Sequence, residues 1–347
     1  MYYATALLLS KSCLMYLSII IVNYKSAQLI IGCLKTFNEN AINSFEFIIV
    51  DNDSKDDSKT IITEQFLFVK WIDMGYNAGF ARANNEGIRR ATADTVLLLN
   101  PDTLILDDAV EKCYRQFIQS PYIACSVQLL NADHTPQITG NFFMKGGLNH
   151  LLPLPYMGAL LREIAFAAKV KKTNVPQASA EQKVDWINGA FMMVKKSVIE
   201  KAGMLDEDFF LYAEEIEWCS RLKKAGELCV YGNLYTIHLQ GESINSATET
   251  TDKGYYNLYD TKGLQLMVSQ HVRIRKQFGV LWFLFHLFMY TLEIPVFFIC
   301  SFFDNLFHAR NPLSNFSMGK GFTLNVVKLW RLAPTIFDNK PHFYKML

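Results

Sequence analysis

Two stretches decide the fold: LSIIIVNY at residues 17–24 and TVLLLNPD at residues 95–102. Each is a short run of mostly aliphatic side chains that ends abruptly in polar residues, and FEFIIVDNDS at residues 45–54 repeats the pattern. Such runs are typical of strands buried on both faces of a parallel sheet. Residues 27–36 and 78–91 read as helices between these strands. The alternation predicts right-handed βαβ units, and hence an α/β fold with a mostly parallel central sheet and flanking helices.

Further elements follow from the same patterns along the chain. They are a strand at 68–72, helices at 107–119, 197–202 and 214–225, and a tightly patterned apolar segment at 184–194. Between residues 131 and 182 the pattern is irregular and punctuated by proline and glycine. We expect a long, variable excursion there, of the kind that serves as a lid or an acceptor loop.

Composition and charge limit the classes of function. The chain has 347 residues, of which 50% are hydrophobic and 14% aromatic, so it can build a substantial core. Its net charge of +1 gives no reason to expect nucleic acid as a partner. The seven cysteines are scattered and form no close pair. This spacing argues against a zinc ribbon and favours buried thiols in a reducing compartment.

The two ends of the chain differ from its middle. Residues 1–16 form an apolar N-terminal extension without the basic segment and cleavage site of a signal peptide, and Met15 is an alternative start. Residues 279–303 are almost wholly apolar and follow a basic stretch at 273–276. They are long enough to span a bilayer, which needs ~20 apolar residues, but His286, Glu293 and Pro295 interrupt them. Three interpretations stay open: a true span, a membrane-surface or re-entrant helix pair, and a buried helix of a soluble protein.

Polar residues follow three of the predicted strands, at Asn23-Tyr24, Asp51-Asn52 and Asn100-Pro101-Asp102. Ligands of open α/β sheets bind at the carboxyl ends of the strands, so these clusters mark a candidate site. Asp51 suits a nucleoside base or ribose, although an Asx turn or a helix cap explains it equally. Asp102 suits a divalent cation held against a diphosphate, although Asn-Pro-Asp is also a common turn sequence.

A second group of candidates lies beyond residue 200. Glu214 and Glu215 open a helix directly after an aromatic run at 209–212. The helix dipole alone favours acids at that position. An apolar approach and a neighbouring acid would also raise a carboxyl pKa, as a general base requires. His238 is either a partner of metal or phosphate or a structural hydrogen bonder.

Taken in order, six blocks of this chain resemble glycosyltransferase family 2, and most closely its rhamnosyltransferase-like bacterial branch. The blocks are residues 17–26, 50–54, 77–87, 98–102, 188–190 and 210–218. The resemblance covers residues 17–245 and implies a GT-A fold. It implies a catalytic domain at 17–250, with a nucleotide-sugar half at 17–130 and an acceptor half at 183–250. Residues 251–347 are then a C-terminal helical region, which we expect at a membrane.

The resemblance also implies roles for individual residues. The general base is Glu215, with Glu214 in support. The cation, Mg²⁺ or Mn²⁺, is held by Asp102 and His238. The donor-binding residues are Asn23, Tyr24, Asp51, Asn52, Arg82, Asn85, Asn100, Asp102 and Trp218.

Three positions depart from the family pattern. Asn100 stands where a strict DxD motif has its first acid, which weakens the case for tight metal binding. The acidic pair is Glu-Glu where Glu-Asp is more usual, and misplacing a catalytic carboxylate by ~1 Å is costly. Ala83 replaces a common glycine, so the backbone there approaches a donor less closely.

The function so implied is inverting transfer of a sugar from a nucleoside-diphosphate donor. The first choice of donor is dTDP-rhamnose, followed by a UDP-hexose. The acceptor is a glycan or lipid-linked molecule of bacterial surface polysaccharide synthesis. We expect the protein in the cytoplasm, peripheral at the inner face of the plasma membrane.

Two rival enzyme classes lack the sequence motifs expected of them, and a third, non-catalytic function can be separated only by measuring turnover. A nucleotidyltransferase or pyrophosphorylase usually has a Gly-rich, basic loop after the first strand, whereas residues 23–26 read NYKS. A Rossmann dehydrogenase lacks support because no GxGxxG follows that strand. A non-catalytic module that binds nucleotide-sugars or scaffolds a membrane assembly stays open, because Asn100 replaces an acid.

Overall fold

The computed structural model describes residues 16–143, 147–239 and 257–347. The predicted extension before Tyr16 and the predicted domain boundary at residue 250 lie outside these ranges.

The first half of the central sheet is parallel. Its strands lie in the order β3-β2-β1-β4, where β1 is Leu17–Asn23, β2 Phe45–Asp51, β3 Val69–Asp73 and β4 Thr95–Leu99. The four predicted strands are thus confirmed to within one residue. β1, β2 and β4 are buried along nearly their whole length, which explains their continuous apolar runs. The register pairs Asn23 with Asp51 at the carboxyl edge, where the predicted site lies.

The second half of the sheet is mixed. Its strands are β5 (Thr103–Ile105), β6 (Ala124–Leu130), β9 (Gln182–Val184), β11 (Phe191–Lys195) and β12 (Leu228–His238). From β4 the order continues β11-β6-β12-β5, with β9 also on β12. β11 runs antiparallel to β4 and β6, whereas β12 is parallel to β6. The parallel arrangement expected from the sequence therefore holds fully only for the half that contains β1 to β4.

Helices cover both faces of the sheet. Those before residue 223 that flank this sheet are α1 (Ala27–Leu34), α2 (Glu39–Ser44), α3 (Ser58–Gln65), α4 (Gly79–Arg90), α5 (Ala109–Ile118), α7 (Lys196–Ala202) and α8 (Glu214–Leu222). Alternate strand residues enter different cores because side chains alternate between the faces of a sheet. Ile19 and Ile21 pack with α1, α3 and α5, whereas Ile20 packs with α4, α7 and α8.

The predicted irregular excursion at 131–182 contains structure of its own. Three short strands form a small sheet in the order β10-β7-β8, where β7 is Gly140–Asn141, β8 Asn174–Val175 and β10 Trp186–Ile187. A 3₁₀ turn at Leu148–Leu151 precedes α6 (Met157–Ala167). These elements bring the excursion against the C-terminal helices.

The C-terminal region packs as three helices: α9 (Thr261–Phe278), α10 (Val280–Phe307) and α11 (Phe316–Asp338). α10 continues through Pro295 as one helix of 28 residues. Among the described helices it is the one whose length and apolar composition would suffice to cross a bilayer. His286 and Glu293, which interrupt the apolar run, are fully buried against the rest of the protein.

The start of α4 lies directly against the loop that precedes α8. Gly79 has a φ of +73°, and the N–H of Phe80 donates a hydrogen bond of 2.8 Å to the carbonyl oxygen of Phe210. A Cβ on Gly79 would lie 2.3 Å from that oxygen. This position therefore needs glycine both for its backbone angle and for the close approach.

We expect Gly79→Ala to destabilise the fold more than Gly75→Ala does. Gly75 has a similar φ of +75°, but nothing lies within 4 Å of its added Cβ. Both changes carry the left-handed backbone cost of about 1–2 kcal/mol. Gly79→Ala adds an overpacking cost of about 1–3 kcal/mol. Urea unfolding of the two variants measures the difference, and equal midpoints would contradict the close approach.

Candidate active site

A hydrogen-bonded network closes the carboxyl ends of β1 and β2. The side-chain amide of Asn23 donates to Asp51 Oδ1 at 2.7 Å and to Ser54 Oγ at 3.0 Å. The Ser54 hydroxyl donates to Asp51 Oδ1 at 2.6 Å, and Ser26 N donates to Asn23 Oδ1 at 3.1 Å. The Asx turn at Asp51 and the proposed ligand role are thus compatible, because Asp51 and Tyr24 stay partly exposed while Asn23 is buried.

Asn52 links this network to α4 instead of facing solvent. Its Oδ1 accepts from the N–H of Ala78 at 2.7 Å, and its Nδ2 donates to Asn77 Oδ1 at 3.0 Å. The side chain is buried. Asn52 therefore fixes the loop that enters α4, and Tyr24 and Asp51 remain the accessible groups of this first cluster.

Asp102 and His238 form the second cluster, beside the strand pair β5 and β12. Both are buried, and His238 Nε2 lies 3.5 Å from Asp102 Oδ1. The N–H of Leu239 donates to the Asp102 carbonyl at 2.9 Å and fixes the backbone of the two segments. A carboxylate and an imidazole brought together at the edge of the sheet are suitable ligands for a divalent cation.

Gln137 determines which nitrogen of His238 carries the proton. Its Nε2 donates to the His238 carbonyl at 2.6 Å and to Asn131 Oδ1 at 2.8 Å, so its Oε1 is the atom that faces His238 Nδ1, at 3.0 Å. That oxygen only accepts, so Nδ1 carries a proton, and Nε2 is the ring nitrogen that faces Asp102. Such a partner on the far nitrogen is the usual support of a metal-binding histidine.

The protein ligands present here fit a cation whose coordination shell is completed by oxygen atoms of a bound substrate. No group of three or more His, Cys, Asp or Glu side chains suited to a metal occurs within residues 16–143, 147–239 and 257–347. Asn100 Nδ2 lies 3.4 Å from His238 Nε2, so the residue that replaces the first acid still belongs to the cluster. Mg²⁺ commonly takes one or two protein carboxylates and completes its shell with phosphate and water oxygens.

The acidic pair begins α8 after a strained turn. Tyr212 and Ala213 have φ values of +70° and +68°, the left-handed region that non-glycine residues seldom adopt. Burial raises the pKa of Glu214 well above its usual range, and the neighbouring Glu215 raises it further. Burial also raises the pKa of Glu215, which is partly exposed. Within the described residues, Glu214 Oε2 has no hydrogen-bond partner, so Glu214 is the member of the pair that stays protonated more readily.

Arg273 of α9 interacts electrostatically with one member of this pair, Glu215. It is 8% exposed, and burial lowers its pKa to about 10, so it stays charged at neutral pH. Its charge opposes the burial effect and lowers the pKa of Glu215. Ser269 of the same helix donates to the Leu211 carbonyl at 2.7 Å and fixes the strained turn. The C-terminal region thus contributes to the electrostatics of the site.

The antiparallel pairing of β4 with β11 brings the Asp102–His238 cluster and the acidic pair to the same part of the protein. The N–H of Asn100 donates to the Ala190 carbonyl at 2.9 Å, which places the end of β4 beside Gly189. A Cβ on Gly189 would lie 3.6 Å from the Glu215 Cβ and 3.7 Å from the Phe80 ring. The end of β4, which leads to Asp102, and Glu215 of the acidic pair therefore both lie next to the segment 188–190.

Besides Asn52, three predicted donor-binding residues use their side chains to bond with the backbone of other parts of the protein. Trp218 is fully buried and donates its indole N–H to the Gly203 carbonyl at 2.8 Å. Asn85 is buried and bonds with both the N–H and the carbonyl of Leu205, at 3.0 and 2.9 Å. Arg82 donates Nε to the Glu207 carbonyl at 2.9 Å. These side chains fix the segment 203–207 beneath α4.

The segment 341–347 runs back across the same region. The Phe343 ring lies 3.9 Å from the Arg82 guanidinium and 5.8 Å from the Phe210 ring, centroid to centroid. Lys345 donates to the Asn77 carbonyl at 3.3 Å, and Tyr344 N donates to the Asp208 carbonyl at 3.0 Å. This segment therefore covers the entrance of α4 and holds Arg82 in place by a cation–π contact.

Sequence reasoning missed Gln137 and Arg273. Gln137 lies 101 residues from His238, inside the excursion that showed no pattern. Arg273 was taken only as part of a basic flank of the apolar helix. Ser54 follows Asp51 by three residues, and its N–H donates to Asp51 Oδ2. The spacing of an Asx turn was the sequence signal that could have indicated this contact.

Comparison with known proteins agrees with this geometry. Residues 18–161 match the sequence model of the family described as Glycosyl transferase family 2. The chain is 31% identical over 217 residues to the low-salt glycan biosynthesis hexosyltransferase Agl10 of Haloferax volcanii, covering 60% of this chain and 62% of that protein. It is 29% identical over 157 residues to the rhamnosyltransferase WbbL of Escherichia coli K12, covering 43% and 55%. The chain thus spans about three-fifths of the length of these relatives.

A solved structure supports the fold. The mannosyltransferase PcManGT from Pyrobaculum calidifontis, in complex with GDP-Man and Mn²⁺, superimposes with a TM-score of 0.50 at 14% identity. The match covers 93% of this chain and 84% of the other. Residues 18–161 are therefore similar to glycosyltransferase family 2, and the fold is of the GT-A type.

Proposed function

We propose that the protein is an inverting, metal-dependent glycosyltransferase that uses a nucleoside-diphosphate sugar. The observation that carries this proposal is the meeting of two clusters at one edge of the sheet. The end of β4, which leads to Asp102 and His238, and Glu215 both lie next to the segment 188–190. A candidate cation site for a diphosphate and a base of raised pKa, both held beside one short segment, are the two parts that a single displacement needs.

In the proposed reaction, Glu215 removes the proton from an acceptor hydroxyl. The acceptor oxygen attacks the anomeric carbon from the face opposite the diphosphate, and the bond from that carbon to the diphosphate breaks. One displacement inverts the anomeric centre. Tyr24 and Asp51 bind the nucleoside at the ends of β1 and β2, and the buried Asn23 holds Asp51 in place. His238 lies beside Asp102, and Asn100 lies beside His238. Glu214, which burial keeps protonated more readily than Glu215, leaves the negative charge of the pair on Glu215.

Asp102 and His238 are the residues that would hold Mg²⁺ or Mn²⁺. The chemistry supplied by a bound cation is neutralisation of the charge that builds on the leaving diphosphate. The support that Gln137 gives to His238 favours this role over a purely structural one, because it keeps Nε2 available as a ligand. The Mn²⁺ in the mannosyltransferase complex is consistent with the same use of metal.

The donor and acceptor are proposed from the relatives. The names of Agl10 and WbbL support a hexose or rhamnose, and we retain dTDP-rhamnose first and a UDP-hexose second. The glycan named for Agl10 supports a glycan or lipid-linked acceptor, here in bacterial surface polysaccharide synthesis. The proposed catalytic domain is 17–250, with 17–130 for the nucleotide-sugar and 183–250 for the acceptor, and the proposed location is the cytoplasmic side of the plasma membrane.

A non-catalytic role is the alternative that one observation favours. Asn100 replaces an acid, and a site with one carboxylate binds a cation less tightly than a site with two. Such a protein would bind nucleotide-sugars, or scaffold an assembly, without turnover. Measured turnover separates the two functions.

The first test is a donor screen with the full chain. The protein is incubated with dTDP- and UDP-sugars, with Mn²⁺, Mg²⁺ or chelator, and the released nucleoside diphosphate is measured with and without glycan acceptors. We expect metal-dependent release from one donor and its loss in Asp102→Ala, with Glu64→Ala, an exposed acid near the end of α3, as the control. Absence of both release and metal-dependent nucleotide-sugar binding would favour the non-catalytic protein.

We expect the two glutamates to differ when each is changed to glutamine. Glu215→Gln should bind the donor normally and lose about 10²–10⁴-fold in turnover, the usual contribution of a general base. Glu214→Gln replaces a carboxyl that is already protonated, so it should lose far less turnover. Steady-state kinetics and donor titration measure both variants. Equal losses would show that the base is not Glu215 alone.

The pH dependence of turnover should report the pKa of Glu215. Because burial raises this pKa and the base must be deprotonated, turnover should fall as pH falls, at a pH above the ordinary ~4.3 of glutamate. Arg273→Gln removes the opposing cation, so the low-pH limb should move to higher pH. Arg275→Gln is the matched control, because that side chain is partly exposed and bonds to the Phe337 carbonyl of α11. An unmoved limb in Arg273→Gln would contradict the coupling.

A further inference from the structure

The polar and apolar residues of α10 are arranged opposite to those of a helix in water. His286, Glu293, Ser301 and Asn305 are buried, at 0–4% exposure. The exposed side of the same helix is apolar and includes Leu281, Leu284, Phe288, Leu292, Ile299 and Phe303, at 41–79% exposure. Their spacing of three, four or seven residues places them in one stripe. A helix at the surface of a water-soluble protein has its apolar stripe inside, so the medium that meets this stripe is not water.

The buried polar groups of α10 are satisfied by the protein itself. The Glu293 carboxylate accepts from the N–H groups of Tyr156 and Met157 at 2.7 and 3.0 Å, and so caps the start of α6. His286 lies with its two ring nitrogens 2.7 Å from the Trp282 carbonyl and 2.9 Å from the Gly147 carbonyl. One side of α10 therefore belongs to the protein core over much of its length, and only the other side is available to an apolar partner.

α6 and α11 extend this surface. Leu160, Ile164 and Phe166 of α6 are exposed at 54–82%, and the cap from Glu293 fixes α6 to α10. Trp330 of α11, 47% exposed, donates its indole N–H to Thr291 of α10 at 2.8 Å. Of the 29 exposed large hydrophobic side chains in the described residues, 16 lie between residues 280 and 337. The exposed apolar residues are thus concentrated on one three-helix surface.

An open apolar cleft of about 470 Å³ lies within this surface, between the end of α10 and the start of α11. Phe298, Ile299, Phe302 and Leu313 are among the side chains that line it. Because its lining is mostly apolar side chains, this cleft suits an acyl chain better than a polar ligand.

The charges around the surface identify the partner. Segments 157–172 and 308–340 contain nine Lys or Arg residues and two acids, in a chain whose net charge is only +1. Exposed examples are Lys169, Lys171 and Lys172 after α6, and Lys320 and Lys328 on α11. Basic side chains around an apolar face are typical of helices that lie on anionic lipid. A second copy of the chain would instead oppose one basic surface to another.

We propose that the exposed faces of α6, α10 and α11 form a lipid-docking surface, which lies in the interface of an anionic bilayer without crossing it. The apolar stripe of α10 enters the acyl boundary, and the flanking lysines pair with headgroup phosphates. This assignment names the membrane partner of the proposed function, but its physical basis does not require sugar transfer.

The test is flotation of the full chain with vesicles of phosphatidylcholine alone and of phosphatidylcholine mixed with phosphatidylglycerol. We expect binding to the anionic vesicles that weakens with added salt, and a blue shift of tryptophan emission that Trp330→Phe reduces. Phe288→Glu and Ile299→Glu should each weaken binding about tenfold or more, because a charge replaces an apolar side chain in the acyl boundary. Leu67→Glu is the matched control, because Leu67 is 90% exposed on the catalytic domain, and it should bind as the parent does.

Several results would overturn the proposal. They are unchanged vesicle binding in Phe288→Glu and Ile299→Glu, equal loss in Leu67→Glu, or a parent chain that ignores vesicles and is a dimer disrupted by the same variants. Donor hydrolysis is measured for every variant in detergent. A variant that loses vesicle binding but still hydrolyses the donor has lost the lipid-docking surface alone. A parent chain that binds vesicles but hydrolyses no donor contradicts the proposed function and leaves the lipid-docking surface supported.

Discussion

The backbone hydrogen bond from Asn100 to Ala190 is the constraint on which the site depends. It continues the antiparallel pairing of β4 with β11 beyond the last residue of β4. β4 belongs to the parallel half of the sheet, and β11 leads into the half that carries α8. Their pairing brings the end of β4, and with it Asp102, next to the segment 188–190 that Glu215 also approaches. Register is strongly specified here, because a slip of one residue would turn the buried side chains of both strands to the wrong face.

The C-terminal helices act on this site as well as on the proposed membrane. Arg273 of α9 interacts electrostatically with Glu215, and Ser269 donates to the Leu211 carbonyl before the strained turn. Lys276 pairs with Asp206 and Asp208, on the segment that Arg82 and Asn85 also hold. Two of the three basic residues before α10 thus interact with residues 206–215, whereas Arg275 bonds to the Phe337 carbonyl of α11. The C-terminal helices are therefore joined to the segment that contains the proposed general base.

Prediction succeeded where the signal was local. β1, β2 and β4 were located because strands buried on both faces need unbroken apolar runs, and their polar ends identified Asn23, Asp51 and Asp102. β12 was missed because Gly232 and Asn233 interrupt its pattern at the point where its register on β6 shifts. Trp218 and Asn85 were placed near the donor by resemblance, but their side chains are occupied by the carbonyl of Gly203 and the backbone of Leu205. Resemblance to a motif predicts where a residue lies in the fold, but it does not show whether the atoms of its side chain are free to bind a ligand.

The sequence by itself predicted the α/β class, the strands β1 to β4 and the candidate residues of the site, because buried strands and the polar loops that follow them are short local patterns. It also showed that residues 279–303 are apolar. Only the tertiary structure decided which side of α10 is covered, that Glu293 caps α6, and that Gln137 and Arg273 set the states of His238 and Glu215. The physical reason is that pKa values, tautomers and exposed faces depend on groups brought together from distant parts of the chain, and no local pattern records those distances.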